Sequence, residues 1–487
     1  MANVINSENI LLLGSILLFF SIIFSKTGFK FGVPTLLIFL MVGMIFGTDG
    51  FGIEFSSAKD AQFIGMVAMS IILFSGGMDT KIVNIKPVLT AGIMLSTIGV
   101  LLTTVLTGGF IYLISGLSKT NITLGLMTSM LLAATMSSTD SASVFNILKS
   151  QRMNLKYNLR PLLELESGSN DPMAIMLTIV LIQVISSGSD LNGISILRDL
   201  IIQFSVGGLL GFLMGKFMSW LLNQINLPNG SLYPILLLSL VFITFIFTDL
   251  LSGNGYLAVY IAGIVVGNGK LAYRKEINTF MDGFTWLFQI VMFLTLGLLV
   301  NPHEMLGVAL VAILITVFMV LVARPVSVFA CLLPFKEFPV KAKFFVSWVG
   351  LRGAAPIIFA TYPVIAGIEG ANIIFNIVFF ITLLSLLVQG MTIGTVAKKL
   401  HLDLPAEKEG NDFGIELPDE IDSQLEELVV SEPMLANGNR LMDMRFPKGH
   451  LVMIIKRGDK FIIPNGQLEL KIADKLLLIK GSVETTE

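Results

Sequence analysis

Charge is scarce in this chain. Of its 487 residues only 14% are Asp, Glu, Lys or Arg, against about 25% in an ordinary soluble domain. The net charge of −2 supplies no basic field for nucleic acid. One cysteine, Cys331, excludes an intramolecular disulfide and any multi-cysteine metal site. The three histidines, His303, His401 and His450, are scattered and match no zinc spacing. Nothing supplies a nucleophile–base pair or a phosphate-binding loop, so an enzyme is not expected. The opening residues MANVINSEN hold an acid and no Lys or Arg, unlike the basic start of a cleavable signal. Residues 8–25 therefore read as a retained first helix.

Apolar residues are what the chain has instead. They make up 54% of it, the mean hydropathy is +0.83, and apolar runs recur from Ile10 to Val396, too many for one buried core. The fold class is an all-α polytopic membrane protein. Splitting the runs at polar and Gly/Pro breaks gives thirteen candidate spans, at roughly 8–25, 31–48, 60–77, 87–115, 122–147, 159–186, 195–223, 232–251, 254–268, 276–300, 305–323, 341–366 and 371–397. One set of intervening loops carries seventeen Lys and Arg, Arg324 among them; the other carries three, Lys59, Lys119 and Arg198. The positive-inside rule makes the first set cytoplasmic. The N-terminus is then outside and the C-terminus inside.

A faint internal repeat sets GVPTLLIFLMVGMIFG (32–47) against NGYLAVYIAGIVVG (254–267), with Gly43 opposite Gly263 and Gly47 opposite Gly267. The second span maps onto the ninth, so the two halves have opposite topology, as in the inverted repeats of secondary transporters. The same offset maps residue 140 onto 360. Around them, MSSTDSAS (136–143) competes with helical hydrogen bonds, and FATYPVIAG (359–367) holds Pro363, which lacks an amide donor. Two interrupted helices, the fifth and the twelfth, are expected to face each other; broken backbone at membrane depth is tolerated where it lines a site.

Ionisable residues inside spans are expensive and point to function. The sequence ESGSNDPMA (166–174) precedes MAIMLTIVLIQVI (173–185), whose thirteen residues reach only about 20 Å at the helical rise, short of the ~30 Å apolar core. Asn170 or Asp171 could cap a helix beginning at Pro172, but that helix would not span. A helix begun at Pro161 does, and it carries Glu164, Glu166 and Asp171 into the membrane, with Pro172 expected to kink it. Positions 164, 167, 168 and 171 share one face. Desolvation disfavours a carboxylate's charge there unless a cation compensates. Such a group holds either a proton or a metal ion, which is the minimum chemistry of cation/proton exchange. Arg352, in WVGLRGAAPI (348–357), lies about 18 Å into its span, too deep to reach water. It needs a permanent partner, and Glu166 is the expected one, bracing the sixth helix against the twelfth.

ESGSND (166–171), SSTD (137–140) and GLRGA (350–354), in the sixth, fifth and twelfth spans, resemble the cation:proton antiporter-1 family, which includes NhaP-type antiporters and sodium/proton exchangers. The resemblance covers about residues 1–400. It implies a thirteen-helix fold with six-helix inverted repeats, a homodimer, and an elevator-like movement. It also implies Asp171 as the cation- and proton-binding residue, Asn170 as its neighbour, and Ser167 and the Thr139 main chain as ligands of the transported K+ or Na+. Glu166 and Arg352 match a structural ion pair, and Asp140 an acid that offsets helix-end dipoles. Many sodium-selective members carry a small residue where this chain has Pro172; SGSNDPMA looks like the potassium/proton antiporter subfamily.

After Lys398 charge rises sharply. Residues 401–427 read as a linker and 428–487 as a small α+β cytoplasmic domain, with LVMII and KFIIP flanking KRGD as a hairpin and KLLLIKG as another strand. About sixty residues is marginal for independent folding, so dimerisation is expected. RGDKFIIPNGQLELKIADKLLLIKG resembles the C-terminal subdomain of potassium-conductance-regulating domains, TrkA-C. The resemblance implies small regulators, nucleotides among them, bound at a dimer cleft. The larger nucleotide-binding part is missing, since no Gly-x-Gly-x-x-Gly follows a strand. A tail that only aids dimer stability is the other reading.

The expectation is thus a bacterial inner-membrane K+/H+ antiporter, with Na+ as a further substrate, electroneutral because Asn170-Asp171 holds a single acid, and needing no cofactor. The partners are the ions, membrane lipid and a second copy, with no nucleic acid. The alternatives are a Na+/H+ antiporter with a structural tail and, less well supported, a regulated cation channel.

Overall fold

The computed structural model describes residues 7–30, 34–116, 123–151, 153–187, 193–405, 425–435, 438–444, 446, 450–458 and 460–480. They form two compact units, Met1–Pro405 and Ala406–Glu487.

The first unit is helical: α1 Ser7–Lys30, α2 Thr35–Phe46, α3 Ala58–Asp79, α4 Ile82–Ser115, α5 Leu126–Thr135, α6 Ser141–Ser150, α7 Leu159–Ser186, α8 Gly193–Gln224, α9 Leu232–Leu250, α10 Gly255–Gly267, α11 Arg274–Leu299, α12 Pro302–Leu332, α13 Val340–Trp348, α14 Ala354–Ile365 and α15 Ala371–Lys399. Eight of these are long and apolar enough to cross a membrane. A short ladder, β1 Met153–Leu155 with β2 Asp403–Pro405, ties the end of this unit to the chain just ahead of α7.

Backbones approach most closely where glycines meet. A Cβ on Gly43 of α2 would lie 2.9 Å from the Gly297 Cα of α11, and one on Gly263 of α10 would lie 3.2 Å from the Gly77 Cα of α3. Only hydrogen fits between such helices, which gain dispersion contact in return.

Helix α7 begins near the expected Pro161 and runs unbroken through Pro172. The residues Glu166 to Asp171 are therefore helical and mid-span, not a cap in water. The fifth apolar run is interrupted where expected, between Thr135 and Ser141. The other interruption lies elsewhere than expected. It falls at 349–353, the VGLRG segment, and Pro363 sits inside α14. Interrupted backbone at this depth needs partners, and at 349–353 it finds them: the Leu351 carbonyl accepts from the Asp140 amide (2.7 Å), and the Arg352 amide donates to Ser385 Oγ (3.0 Å). Pro363 lies two residues before the end of its helix; it leaves the Phe359 carbonyl without its i+4 amide, and the helix continues past it to Ile365.

A second difference concerns Arg324. The Arg-Pro pair at 324–325 reads as the end of a span, yet α12 continues through it to Leu332. A π turn, Met319–Ala323, immediately precedes it and loosens the i→i−4 ladder where Pro325 cannot donate. Arg324 is consequently in a helix and 2% exposed. Further π turns occur at Leu95–Gly99 in α4 and Ser385–Gly390 in α15.

The second unit contains an antiparallel sheet in the order β3-β6-β4-β5, with β3 Leu425–Val429, β4 His450–Arg457, β5 Lys460–Ile462 and β6 Lys475–Lys480. Strands β4 and β5 pair as the expected hairpin, with Arg457 opposite Lys460. Where an α+β unit was expected, the described residues hold strands and short 3₁₀ turns but no α-helix. Val452, Ile455, Leu470, Leu476 and Leu478 form its core. Beside it Asp474 accepts from Arg457 Nε (2.8 Å) and Nη2 (2.7 Å) and from the Lys471 amide (2.8 Å). Burial pushes the Asp474 carboxyl up, but Arg457 and the Lys471 amide outweigh it and hold it below the usual aspartate range. A depressed acid stabilises the fold above its ordinary pKa and loses that contribution as pH falls through the depressed value. In the full-length protein, amide protection across β4 and β6, corrected for intrinsic exchange, is expected to stay level down to about pH 4 and to fall below it. Asp474→Asn should lower it already at neutral pH, by about 1.5–3 kcal/mol; equal protection in the variant would dismiss this anchor.

Candidate functional site

The two interruptions cross each other, and α7 runs past the crossing. Residues 136–140 lie between α5 and α6, residues 349–353 between α13 and α14. Each break exposes a helix C-terminus with unpaired carbonyls and a helix N-terminus with unpaired amides. Two charged side chains answer these ends. Arg352, 1% exposed, donates through Nε to the Met136 carbonyl (3.0 Å) at the end of α5 and through Nη1 to the Gly350 carbonyl at the end of α13. Asp140 accepts from the Ser143 amide (3.1 Å) and hydroxyl at the start of α6, and its carboxylate lies against Gly353, the residue ahead of α14. Cations suit helix C-termini and anions suit N-termini, so the pairing of charge with end is the favourable one at all four.

Arg352 therefore takes its compensation from backbone carbonyls, and the Glu166 brace expected of it is made by another residue. Glu166, 1% exposed, pairs with Arg324 of α12. The side chains of Arg324 and Arg352 both border Gly350: a Cβ there would meet Arg324 Nε at 2.8 Å and Arg352 Nη1 at 3.0 Å. One carboxylate and two sets of helix-end carbonyls thus balance two neighbouring guanidiniums.

On α7, side chains reach into the 136–140 break. Ser167 Oγ donates to the Thr139 carbonyl (2.8 Å) and accepts from the Ser141 amide (3.0 Å). Asn170 Nδ2 donates to Thr139 Oγ1 (2.6 Å), while its Oδ1 is buried without a partner. Asp171 accepts from Ser138 Oγ (2.6 Å). Unlike the fully buried Asn170 and Glu166 beside it, Asp171 is partly accessible.

The structure brings Asp171, Asn170, Ser167 and Thr139 together, with Asp140 two residues from the Ser138 that holds Asp171. Two residues of this centre were missed from sequence. Ser138 lay unremarked in SSTD, where alternate serines cannot be ranked without knowing which way the break turns. Arg324 was hidden by the proline after it. Among the described residues no cluster of three or more His, Cys, Asp or Glu could hold a metal. The oxygens here are a carboxylate, hydroxyls, an amide and a main-chain carbonyl, a hard and weakly charged set of the kind that suits a hard cation.

A family model described as the transmembrane sodium/hydrogen exchanger matches residues 14–399. The chain belongs to the sodium/hydrogen exchanger family. It is accordingly a membrane antiporter and not a catalyst of covalent chemistry. It is 36% identical over 479 residues to the K(+)/H(+) antiporter NhaP2 of Shewanella oneidensis, a match spanning 98% of this chain and 82% of that one. It is 36% identical over 476 residues to the K(+)/H(+) antiporter NhaP of Alkalimonas amylolytica (96% and 80%), and 31% identical over 288 residues to the Na(+)/H(+) antiporter NhaH of Halobacillus aidingensis (55% and 68%). Among solved structures, the sodium proton antiporter MjNhaP1 from Methanocaldococcus jannaschii at pH 8 superposes with a TM-score of 0.69 at 23% identity, over 79% of this chain and 97% of that one. This last likeness shows the shared fold.

Removing one partner of a buried ion pair costs about 3–5 kcal/mol because the other charge is stranded. Arg324→Ala is therefore expected to lower detergent-solubilised melting sharply, and Glu166→Gln in the Arg324→Met background should recover much of the loss. In double-mutant cycles residues 166 and 324 should couple by roughly 1–3 kcal/mol, and 166 with 352 by less. Stronger coupling of 166 with 352 would overturn the assignment of partners.

Proposed function

We propose that this antiporter exchanges K+ for H+ one for one at Asp171, by alternating access of a moving helix group across a bacterial inner membrane. The observation that carries the reading is the position of Asp171. It is a partly accessible carboxylate at the crossing of two interrupted helices, hydrogen-bonded to Ser138 and flanked by the neutral Asn170, while Asp140, the other acid there, is engaged by the start of α6. Protonated, the group is neutral; ionised and holding K+, the site is neutral again. A second acid would leave one of these states charged. Moving either loaded state then carries no net charge, so exchange is electroneutral.

In this reading the Thr139 main chain, Ser167 and Asn170 supply oxygens to the cation, Asp140 and Arg352 quiet the half-helix ends, and Glu166 with Arg324 holds α7 to α12. Potassium is preferred because the two 36% relatives covering nearly the whole chain carry that cation in their names. The inverted repeat draws support from glycine contacts: Gly43 meets Gly297 and Gly263 meets Gly77, and a shift of 220 residues carries 43 to 263 and 77 to 297. The π turns at Leu95–Gly99 and Met319–Ala323 stand in similarly related helices. Thirteen crossings remain the preferred count, with the N-terminus outside and the C-terminus cytoplasmic. Moving Arg324 from loop to helix still leaves sixteen of the seventeen cytoplasmic Lys and Arg where the positive-inside rule wants them. The C-terminal sheet is assigned a regulatory role in a homodimer, with a small regulator of TrkA-C type as its ligand class.

Fluorescence dequenching in vesicles offered K+, Na+ and Li+ in turn tests the substrate, and a signal confined to Na+ and Li+ would favour the sodium reading. A net charge moved through 100 mV is worth about 2.3 kcal/mol, roughly fiftyfold in an equilibrium. Proteoliposome exchange under a clamped potential should change by less than twofold; a steep dependence refutes the stoichiometry. Asp171→Asn should abolish exchange without loss of folding, and persistent exchange removes Asp171 from its role. Downhill cation flux with no proton countermovement would point to a channel.

A further inference from the structure

Helix α10 packs on α7 beside the site, and two of the contacts bear on it. Asn254, which caps α10 through its Oδ1, donates Nδ2 to the Pro172 carbonyl (2.9 Å). Two turns along α10, the Tyr260 ring lies against Gly168. A Cβ at 168 would come within 2.3 Å of ring carbons Cε2 and Cζ and 2.6 Å of the hydroxyl, so this position admits no side chain while Tyr260 stands there. Gly168 directly follows Ser167 and precedes Asp171 by three residues, about 4.5 Å along the helix.

The hydroxyl itself is unusual. Tyr260 is 2% exposed, and its Oη, with the Thr80 side chain within reach, has no well-formed hydrogen bond among the described residues. Buried tyrosine hydroxyls normally find a partner, and leaving one unpaired has a cost. Thr80 is its polar neighbour, but the Thr80 hydroxyl is donated to the Gly76 carbonyl (2.7 Å). Glu164, on the α7 face that also holds 167, 168 and 171, is a carboxylate near enough to act on it electrostatically. The Tyr260 oxygen therefore stands beside the stretch of α7 between Glu164, partly exposed and paired with Arg160, and Asp171.

We propose that Tyr260 gates the cation site: its ring fills the space left at Gly168, and its hydroxyl is the oxygen an entering monovalent cation meets before it reaches Asp171. A cation passing this point has shed part of its water and must replace it with oxygens already in place. A neutral phenol offers one without adding the charge that would hold the ion there. The ring closes the route when the ion has passed, and the missing side chain at 168 lets it do so without displacing α7. This rests on the antiport reading above and adds to it the residue that controls entry.

The test uses purified full-length protein in liposomes, with K+ as the probe. Wild type must exchange K+ for protons; if it does not, the antiport reading fails and the gate with it. Given that exchange, Tyr260→Phe keeps the ring and removes the oxygen. Its apparent KM for K+ is expected to rise at least threefold, with Vmax within twofold and melting unchanged. An unmoved KM, with the same order of preference among K+, Rb+ and Na+, overturns the gate although antiport stands. Gly168→Ala should cut exchange below a tenth of wild type by forcing the ring out of its seat. Adding Tyr260→Ala should restore Vmax severalfold while KM stays high. Full activity of Gly168→Ala, or no recovery in the double variant, overturns the notch. Where Gly168→Ala does not reach the membrane, the Tyr260→Phe measurement decides alone.

Discussion

Backbone polar groups cannot go unpaired in an apolar slab, and this structure breaks two helices there. The rest of the site follows from how those breaks are satisfied. Main chain meets main chain at one point, where the Asp140 amide donates to the Leu351 carbonyl. Within the breaks the Ser137 amide also reaches back to the Ala134 carbonyl, and side chains supply much of the rest: Arg352 for the carbonyl ends, Asp140 for the amide ends, Ser385 for the Arg352 amide, Ser167 for Thr139 and Ser141. The charges that compensate the helix ends are thus already engaged. Asp171 is left as the one acid at the crossing whose hydrogen bonding, a single hydroxyl from Ser138, leaves capacity for something else. A carboxylate accepts at about four lone-pair positions.

The buried arginines show how a compensation scheme is distributed. A guanidinium in this environment needs several acceptors in fixed directions, and a single carboxylate cannot serve two of them. Assigning Glu166 to Arg324 and the two carbonyl ends to Arg352 solves both demands at once. It also explains why the GLRG segment is non-helical. The break provides the free Gly350 carbonyl that Arg352 needs, and Arg352 stabilises the break. The interruption and the charge are one device, which is why a proline ten residues later did not locate it.

What could be read from the residues was whatever depended on depth and period. That Glu166 and Asp171 lie within a span followed from the length of an apolar run against the thickness of a bilayer, and α7 bears it out. The Gly43–Gly263 correspondence came from spacing alone. What could not be read was which side chain meets which. Glu166 had two buried arginines to choose from, and Arg324 counts with the cytoplasmic loops when the span is ended at residue 323; the π turn that carries the helix past Pro325 has no signature in sequence. Tyr260 gave no signal either, being one apolar-seeming residue in an apolar helix, since its meaning lies in a glycine ninety-two positions earlier.

The neighbour of Asp171 decides how much charge the site can carry. Asn170 is fully buried and spends its amide nitrogen on Thr139, which fixes the side chain against the break and leaves the amide oxygen unpaired. An aspartate could occupy nearly the same volume, but its charge would sit beside Asp171 in a medium that screens poorly, and one of the two would be driven to hold a proton. The amide avoids that: it contributes an oxygen dipole for a cation and nothing to titrate. Ser138 and Ser167 are likewise neutral. On the proposed reading the variable charge of the site is that of residue 171, and a cation bound there displaces a proton from the same atoms. Coupling between the two ions then needs no second element to enforce it, because a single carboxylate cannot satisfy both.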